Sequence, residues 1–304
     1  MEKIPLNLRE TIKQTVKSHL EKENGLVMGQ CLTAVGWVGG TLPEIYEEGG
    51  MVELPMADVA NGGFAVGAAL SGRKTMYVIR YQGFNWFNAP IIINYACKSK
   101  EIWDRPCPLF IRSIAMEGGI GPVAGSSHHS IYFRMPGIKI YSPMSPSEYK
   151  LTYKDFLKGE DVFYVSEHRG SYDNFDDLID INYDDPHYVL FPISITRFNA
   201  IKASQELNKE GIRVSVFHIF IIKPFSPSNS SLDNLSNSTH GGCVIDDDYT
   251  DGIAKSLAND LSNITGRKVE ALGLEDRSAG FAKEVDNMPP DINKIMAKVR
   301  NAVK

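Results

Sequence analysis

Val52-Glu53-Leu54-Pro55-Met56-Ala57-Asp58-Val59-Ala60-Asn61-Gly62-Gly63-Phe64-Ala65-Val66-Gly67-Ala68-Ala69-Leu70 is the stretch whose reading decides this fold. It opens as a short apolar strand, passes the carboxylate of Asp58, and continues as a glycine- and alanine-rich run that reads as a tightly packed helix. Gly63, Gly67 and Ala68 fall at i, i+4 and i+5, roughly one face of a helix with ~3.6 residues per turn. A face without bulky side chains lets a second backbone approach, across a subunit interface or beneath a cofactor. A small-residue core helix has the same spacing.

Strand and helix signals alternate outward from this point. Upstream, Leu8, Ile12, Val16 and Leu20 predict a helix over 8–23, and 25–29 reads as a buried strand. Residues 36–40 have flexible-loop chemistry, and a helix over 41–48 ends at Gly49-Gly50. Downstream come a strand at 75–80 and a helix over 84–98, with Phe84, Phe87, Ile91, Tyr95 and Lys98 on one stripe. A strand at 108–114 runs into the glycine-rich loop from Met116 to Gly125. Strands at 138–141 and 162–165 flank a helix that starts at Ser145-Pro146-Ser147-Glu148. The acidic, aperiodic stretch 170–188 reads as a linker, after which the pattern restarts. Strands are expected at 188–195, 213–220, 242–246 and 268–274, and helices at 198–209, 252–261 and 291–303. This is an α/β chain of two doubly wound domains with mainly parallel sheets: a larger one over 1–170, a linker over 171–187 and a smaller one over 188–304.

The 304 residues suffice for two such domains. A composition 43% hydrophobic and 23% charged, with a net charge of -5, is that of a globular protein with no reason to bind nucleic acid. No apolar stretch approaches the ~20 residues that cross a bilayer, and Met1-Glu2-Lys3-Ile4-Pro5 has no signal-peptide core. The expectation is a cytoplasmic protein without a membrane partner. Cys31, Cys97, Cys107 and Cys243 form no CxxC pair and read as reduced, mostly buried thiols, and no metal-ligand spacing occurs.

The sharpest polar constellation after Asp58 is Ser126-Ser127-His128-His129-Ser130, directly behind the glycine loop. Adjacent histidines on a loop can donate or relay protons near neutral pH; metal binding and plain surface histidines are the competing readings. His19, His168, His187, His218 and His240 are scattered and read as structural or solvated.

Several of these segments resemble the thiamine-diphosphate (ThDP) enzymes of the transketolase and 2-oxo-acid dehydrogenase group. Ala65-Val66-Gly67-Ala68-Ala69 is similar to the A-V-G-A-A tail of the helix that follows that group's acidic position. The group has a glutamate there, bonded to the cofactor's aminopyrimidine; this chain has Asp58, one methylene shorter. Tyr81-Gln82-Gly83-Phe84 stands where the group carries an F-x-x-F pair, so Tyr81 and Phe84 would stack the pyrimidine. Asn94 and Lys98 match the helix that follows, as packing residues. Pro136-Gly137-Ile138-Lys139-Ile140-Tyr141-Ser142-Pro143 resembles the segment behind the group's catalytic histidine. The span from the histidines to Pro136 is several residues shorter than in the group, so His128 and His129 both stay candidates for that role. Leu272-Gly273-Leu274-Glu275-Asp276-Arg277 resembles the group's carboxyl-terminal domain, with Arg277 in a salt bridge or facing a substrate or neighbour.

The group's diphosphate and Mg2+ motif, Gly-Asp-Gly with a downstream asparagine, is not in this sequence. The resemblance therefore implies a beta-type subunit, with a separately encoded alpha chain holding Mg2+ and the diphosphate in an alpha2-beta2 heterotetramer. The implied reaction is the decarboxylating step of a 2-oxo-acid dehydrogenase. One alternative is the carboxyl-terminal half of a split transketolase moving a two-carbon ketol unit, with Arg80, Arg112 and Arg134 available for sugar phosphates. The other is a non-catalytic scaffold subunit, which the Asp58 departure and the short histidine loop would explain.

Overall fold

The structure, a computed structural model, describes residues 5–117, 125–280 and 282–304. Most of the expected glycine loop, 118–124, lies outside the described residues. The chain forms two compact units that meet in sequence at Asp177 and Leu178.

The first unit is built on β1 (Leu26–Gln30), β2 (Met51–Leu54), β3 (Thr75–Ile79), β4 (Leu109–Ala115), β5 (Ile138–Tyr141) and β6 (Val162–His168). Their order is β2-β1-β3-β4-β6-β5, and every neighbouring pair is parallel. Every residue of β3, β4 and β6 is buried, as expected of central parallel strands covered on both faces. Helix α1 (Leu8–Lys22) buries Leu8, Ile12, Val16 and Leu20, and the Asn7 side chain caps it by accepting from the Glu10 N–H. α2 (Asp58–Leu70) follows β2. α3 begins at Asn85–Ile91, passes one π turn at Ile92–Ala96 and ends as Cys97–Trp103. Pro90 lies inside it and brings no N–H, and the wide turn follows directly. α4 (Pro146–Lys158) starts as its sequence predicts: Ser145 caps the Glu148 N–H, and the Glu148 carboxylate accepts from Met144 N at 2.8 Å.

The helix expected over 41–48 is replaced by a single 3-10 turn, Glu47–Gly49. Before it, Val35, Gly36, Trp37, Val38 and Gly39 wind left-handed, with φ of 53, 59, 58, 53 and 64°. L-residues disfavour that conformation by about 1–2 kcal/mol each. The segment is tied at several points: the Glu53 carboxylate accepts from Leu32 N and Thr33 N at 3.0 and 3.2 Å, and Arg9 donates to Gly39 O. Gly137 is obligatory: its φ is +73°, and a Cβ there would lie 1.8 Å from Cys97 O on α3.

The second unit carries β7 (Tyr188–Pro192), β8 (Val214–Val216), β9 (Ile221–Lys223), β10 (Gly242–Tyr249) and β11 (Val269–Leu274). The sheet order β11-β10-β7-β8 is again parallel throughout. Its helices are α5 (Thr196–Lys209), α6 (Asn229–Asn237), α7 (Ile253–Thr265) and α8 (Ile292–Ala302). Leu190, Ala203, Leu207, Val216, Ile245, Ile295 and Val299 share one core. The strand expected over 213–220 is only three residues long, and the stretch expected as a linker, exposed over much of its length, is tied down at points. Tyr172 is buried with its hydroxyl on Glu167, and Ile181 bridges Val216 antiparallel. Among the described residues no helix is long and apolar enough to cross a membrane.

Candidate functional site

In the first unit the candidate residues collect at the carboxyl ends of parallel strands, where open α/β sheets bind ligands. β1 ends at Gln30, β2 leads through Pro55 to Asp58 at the start of α2, β3 leads to Tyr81, and β6 ends with Ser166, Glu167 and His168. The Asn61 side chain donates to Pro55 O at 2.6 Å and pins the turn that presents Asp58.

Asp58 is half-buried, and its Oδ1 accepts from Gln30 Nε2 and, at 3.4 Å, from Asn88 Nδ2. Asn88 Nδ2 also donates to Phe84 O at 3.0 Å, while its Oδ1 accepts from the Tyr77 hydroxyl at 2.7 Å. Burial, and then the Asp58 charge, push the Tyr77 phenol well above its ordinary pKa, so it remains a donor. Gly62 makes room for this contact, since a Cβ there would stand 3.1 Å from Asn88 Oδ1. The rings of Tyr81 and Phe84 meet edge to face, with centroids 6.0 Å apart and planes at 75°, and the Arg80 guanidinium lies 5.6 Å from the Tyr81 centroid.

Between the two aromatics, Gln82 is buried and fully bonded. Its Nε2 donates to Ser166 Oγ at 2.7 Å and to Ser113 O at 3.2 Å, and its Oε1 accepts from His128 N at 2.7 Å. The β4–β6 register pairs Ser113 with Ser166, which puts both hydroxyls on one face. Asn85 reaches the same face, donating to Ser113 Oγ at 3.0 Å and to the Tyr164 hydroxyl at 2.7 Å. His129 is buried with Nδ1 3.0 Å from Ser166 Oγ. His128 lies nearer the surface, its Nε2 3.2 Å from Gly125 O and its ring edge-on to Trp86 at 6.1 Å.

The structure thus joins Asp58 to the Phe84 loop through Asn88, and the Tyr81–Phe84 loop to both histidines through Gln82. Gln30, Gln82, Asn88 and Ser166 escaped the sequence reading. The only signal for Asn85 and Asn88 was two amides three apart on an otherwise apolar helix. Arg112 is withdrawn from the substrate candidates. It is buried, and its Nε and Nη2 hold Glu167 at 2.6 and 2.8 Å, with Tyr149 and Tyr172 donating to the same carboxylate. Burial opposes its charge, and Glu167 outweighs burial to raise its pKa above the ordinary value. His19 is structural, bonded to Leu26 O and the Tyr153 hydroxyl. Arg277 pairs with Glu275 at 2.7 Å.

Residues 5–174 match the family model of the transketolase pyrimidine-binding domain. The chain belongs to that family. Among curated proteins, this pyrimidine-binding chain is 25% identical to the 2-oxoisovalerate dehydrogenase subunit beta of Bacillus subtilis, over 71% of its own length and 72% of that protein's. It is 23% identical to a pyruvate dehydrogenase E1 component subunit beta of Staphylococcus epidermidis, over 72% and 73%. Among solved structures, a split-gene transketolase described as an inactive beta4 tetramer superposes with a TM-score of 0.72 at 15% identity, over 99% of both chains. Transketolase from Campylobacter jejuni gives 0.74 at 13% identity, over 98% of this chain and 47% of that one. At these identities the superpositions establish the fold: the chain has the architecture of one half of a full-length transketolase, with the pyrimidine-binding domain first.

Proposed function

We propose that this chain is the beta-type subunit of a ThDP-dependent 2-oxo-acid dehydrogenase decarboxylating component, active with a separately encoded alpha subunit. The observation that carries the reading is the convergence, in a transketolase pyrimidine-binding domain, of the Asp58 carboxylate, the Tyr81–Phe84 ring pair and the His128-His129 loop. The curated relatives with beta-subunit names favour the decarboxylating chemistry over ketol transfer.

The donor set fits the pyrimidine half of the cofactor. Asp58 uses Oδ1 for both amides, and Oδ2 has no partner among the described residues, so it is available to a ring nitrogen. When bound, ThDP supplies a carbon nucleophile that attacks a carbonyl next to the bond that breaks. Asp58 would share a proton with the aminopyrimidine, held by Gln30 and Asn88 against a shift; misplacement by about 1 Å can cost ~100-fold in rate. Tyr81 and Phe84 would hold the ring by stacking, and the histidines would hold or move a proton beside the attacked carbonyl oxygen. Mg2+ and the diphosphate fall to the alpha subunit, since no Gly-Asp-Gly occurs in this chain. An exposed small-residue face on α2 supports such a partner: nothing lies within 4 Å of a Cβ built on Gly63 or Gly67, and Val59 and Phe64 beside them are exposed. An alpha2-beta2 assembly is the expected stoichiometry.

The test is reconstitution with an alpha chain carrying Gly-Asp-Gly, assayed for decarboxylation of pyruvate and branched 2-oxo acids with an artificial electron acceptor. Ketol transfer between sugar phosphates is assayed in parallel. The expected outcome is 2-oxo-acid turnover lost in Asp58→Ala. Turnover indifferent to that change would make the chain a scaffold, and ketol transfer alone would assign it to a split transketolase.

A further inference from the structure

We propose that a cavity within the second unit, walled by Phe191, Phe217 and Phe225, binds a flat two-ring aromatic molecule that donates a ring N–H or an O–H to His218 Nδ1. The inference is independent of the ThDP reading and uses none of its residues.

Alternation along two parallel strands builds the walls. The β7–β8 register pairs Leu190 with Val216, and both belong to the core shared with α5 and α8. The residues that follow them, Phe191 and Phe217, turn to the opposite face, where their rings stack with centroids 6.1 Å apart and planes at 26°. Both rings are buried and line a cavity of about 210 Å3, which Asp180, His218 and Ser231 also line. Asp180 is exposed and Phe225 half-buried, so the cavity runs from a buried apolar floor to the surface. Ser231, in the first turn of α6, has a short side chain, and its hydroxyl is spent locally on Ser228 O at 2.8 Å. Protein interiors leave few voids larger than one water, whose share of liquid volume is about 30 Å3, so a space of this size is more than a packing defect. A dry apolar cavity of about 150 Å3 takes benzene; the larger volume here takes two fused rings.

His218 supplies the polar anchor. Its Nε2 lies 3.2 Å from Ile179 O, so in the neutral ring Nε2 carries the hydrogen and Nδ1 the lone pair. That Nδ1 is buried and has no hydrogen-bond partner among the described residues. The residue is held in place by its own backbone, since His218 N donates to Asp180 Oδ1 at 2.8 Å. Burial, and then the Arg197 charge, lower the ring's pKa from 6.5 to about 3 against the opposing effect of the Ile179 bond, which leaves His218 neutral at pH 7. A buried acceptor left unmet carries its full desolvation cost, and a ligand that brings a donor recovers it. Apolar walls select the flat rings, and the lone pair selects the one with a hydrogen to give.

The experiment titrates the full chain at pH 7 by isothermal calorimetry with indole and with benzofuran, which has the same shape but an oxygen in place of the N–H. A crystal grown with indole then locates the ring. Indole should bind with a Kd on the order of 0.1–1 mM, the range open to so small a molecule, and benzofuran at least 10-fold more weakly. The crystal should show indole against Phe191 and Phe217 with its N–H on His218 Nδ1. His218→Phe keeps a ring of similar size and removes the acceptor, and it should reduce indole to the level of benzofuran. Absence of saturable indole binding below about 5 mM, or indole found elsewhere on the chain, overturns the site. Benzofuran as tight as indole in the wild type overturns the role of His218, whether or not the variant folds. An indole preference that survives in a folded His218→Phe chain overturns it as well.

Discussion

Replacing Glu167 by glutamine should unfold the first unit at a much lower temperature without touching the candidate site. Both Arg112 and Glu167 are fully buried, and the carboxylate accepts four hydrogen bonds: Arg112 Nε at 2.6 Å, Arg112 Nη2 at 2.8 Å, Tyr149 at 3.2 Å and Tyr172 at 2.8 Å. An amide keeps the shape, removes the charge that neutralises Arg112, and turns an N–H toward at least one donor. Breaking a buried ion pair from one side costs about 3–5 kcal/mol. For a unit of this size that is a fall of roughly 6–20 °C in Tm. Thermal melts followed by circular dichroism measure it. The double variant Arg112→Met/Glu167→Leu should recover at least half the loss, because the stranded charge is gone. A single-variant loss under about 1 kcal/mol, or a double variant no more stable than the single, would refute the assignment of Arg112 to the core and return it to the substrate candidates.

Three further outcomes are expected. His19 is fully buried, and burial lowers its pKa from 6.5 to about 4. The unfolded chain binds this proton first on acidification, so stability should fall as pH drops from 6.5 towards 4, by about 3 kcal/mol in all; urea titrations should show the slope, and His19→Phe should flatten it. Gly63→Leu should leave the melting of the isolated chain within a few degrees, since its Cβ meets open space, yet weaken association with the alpha chain at least 10-fold by analytical ultracentrifugation. Gly137→Ala should cost more than 2 kcal/mol in chemical denaturation, because its Cβ would stand 1.8 Å from Cys97 O and its φ is +73°.

Alternating strand and helix signals made the α/β class legible, and local chemistry placed particular elements well. Asn7 and Ser145 cap the helices that their spacing announced, and Leu8, Ile12, Val16 and Leu20 face the core. These features depend on neighbours three or four residues apart, which a sequence displays directly. The left-handed turn at 34–40 was not legible, because it depends on ties to Arg9 and Glu53 made across the fold. The same holds at the site. Asp58, Tyr81, Phe84 and the two histidines were readable from their residue types and the family pattern, but the amides that organise them were not. Gln30 and Asn88 lie 28 and 30 residues from Asp58, and Gln82 lies 84 from Ser166. Nothing local distinguishes such an amide from a solvated one. By itself the sequence determined most of the segments that become strands and helices, and which chemical groups are on hand. Only the tertiary structure decided which of those groups meet, which left Arg112 in the core and Gln82 beside the histidines, because strand order and register are set by the packing of distant segments.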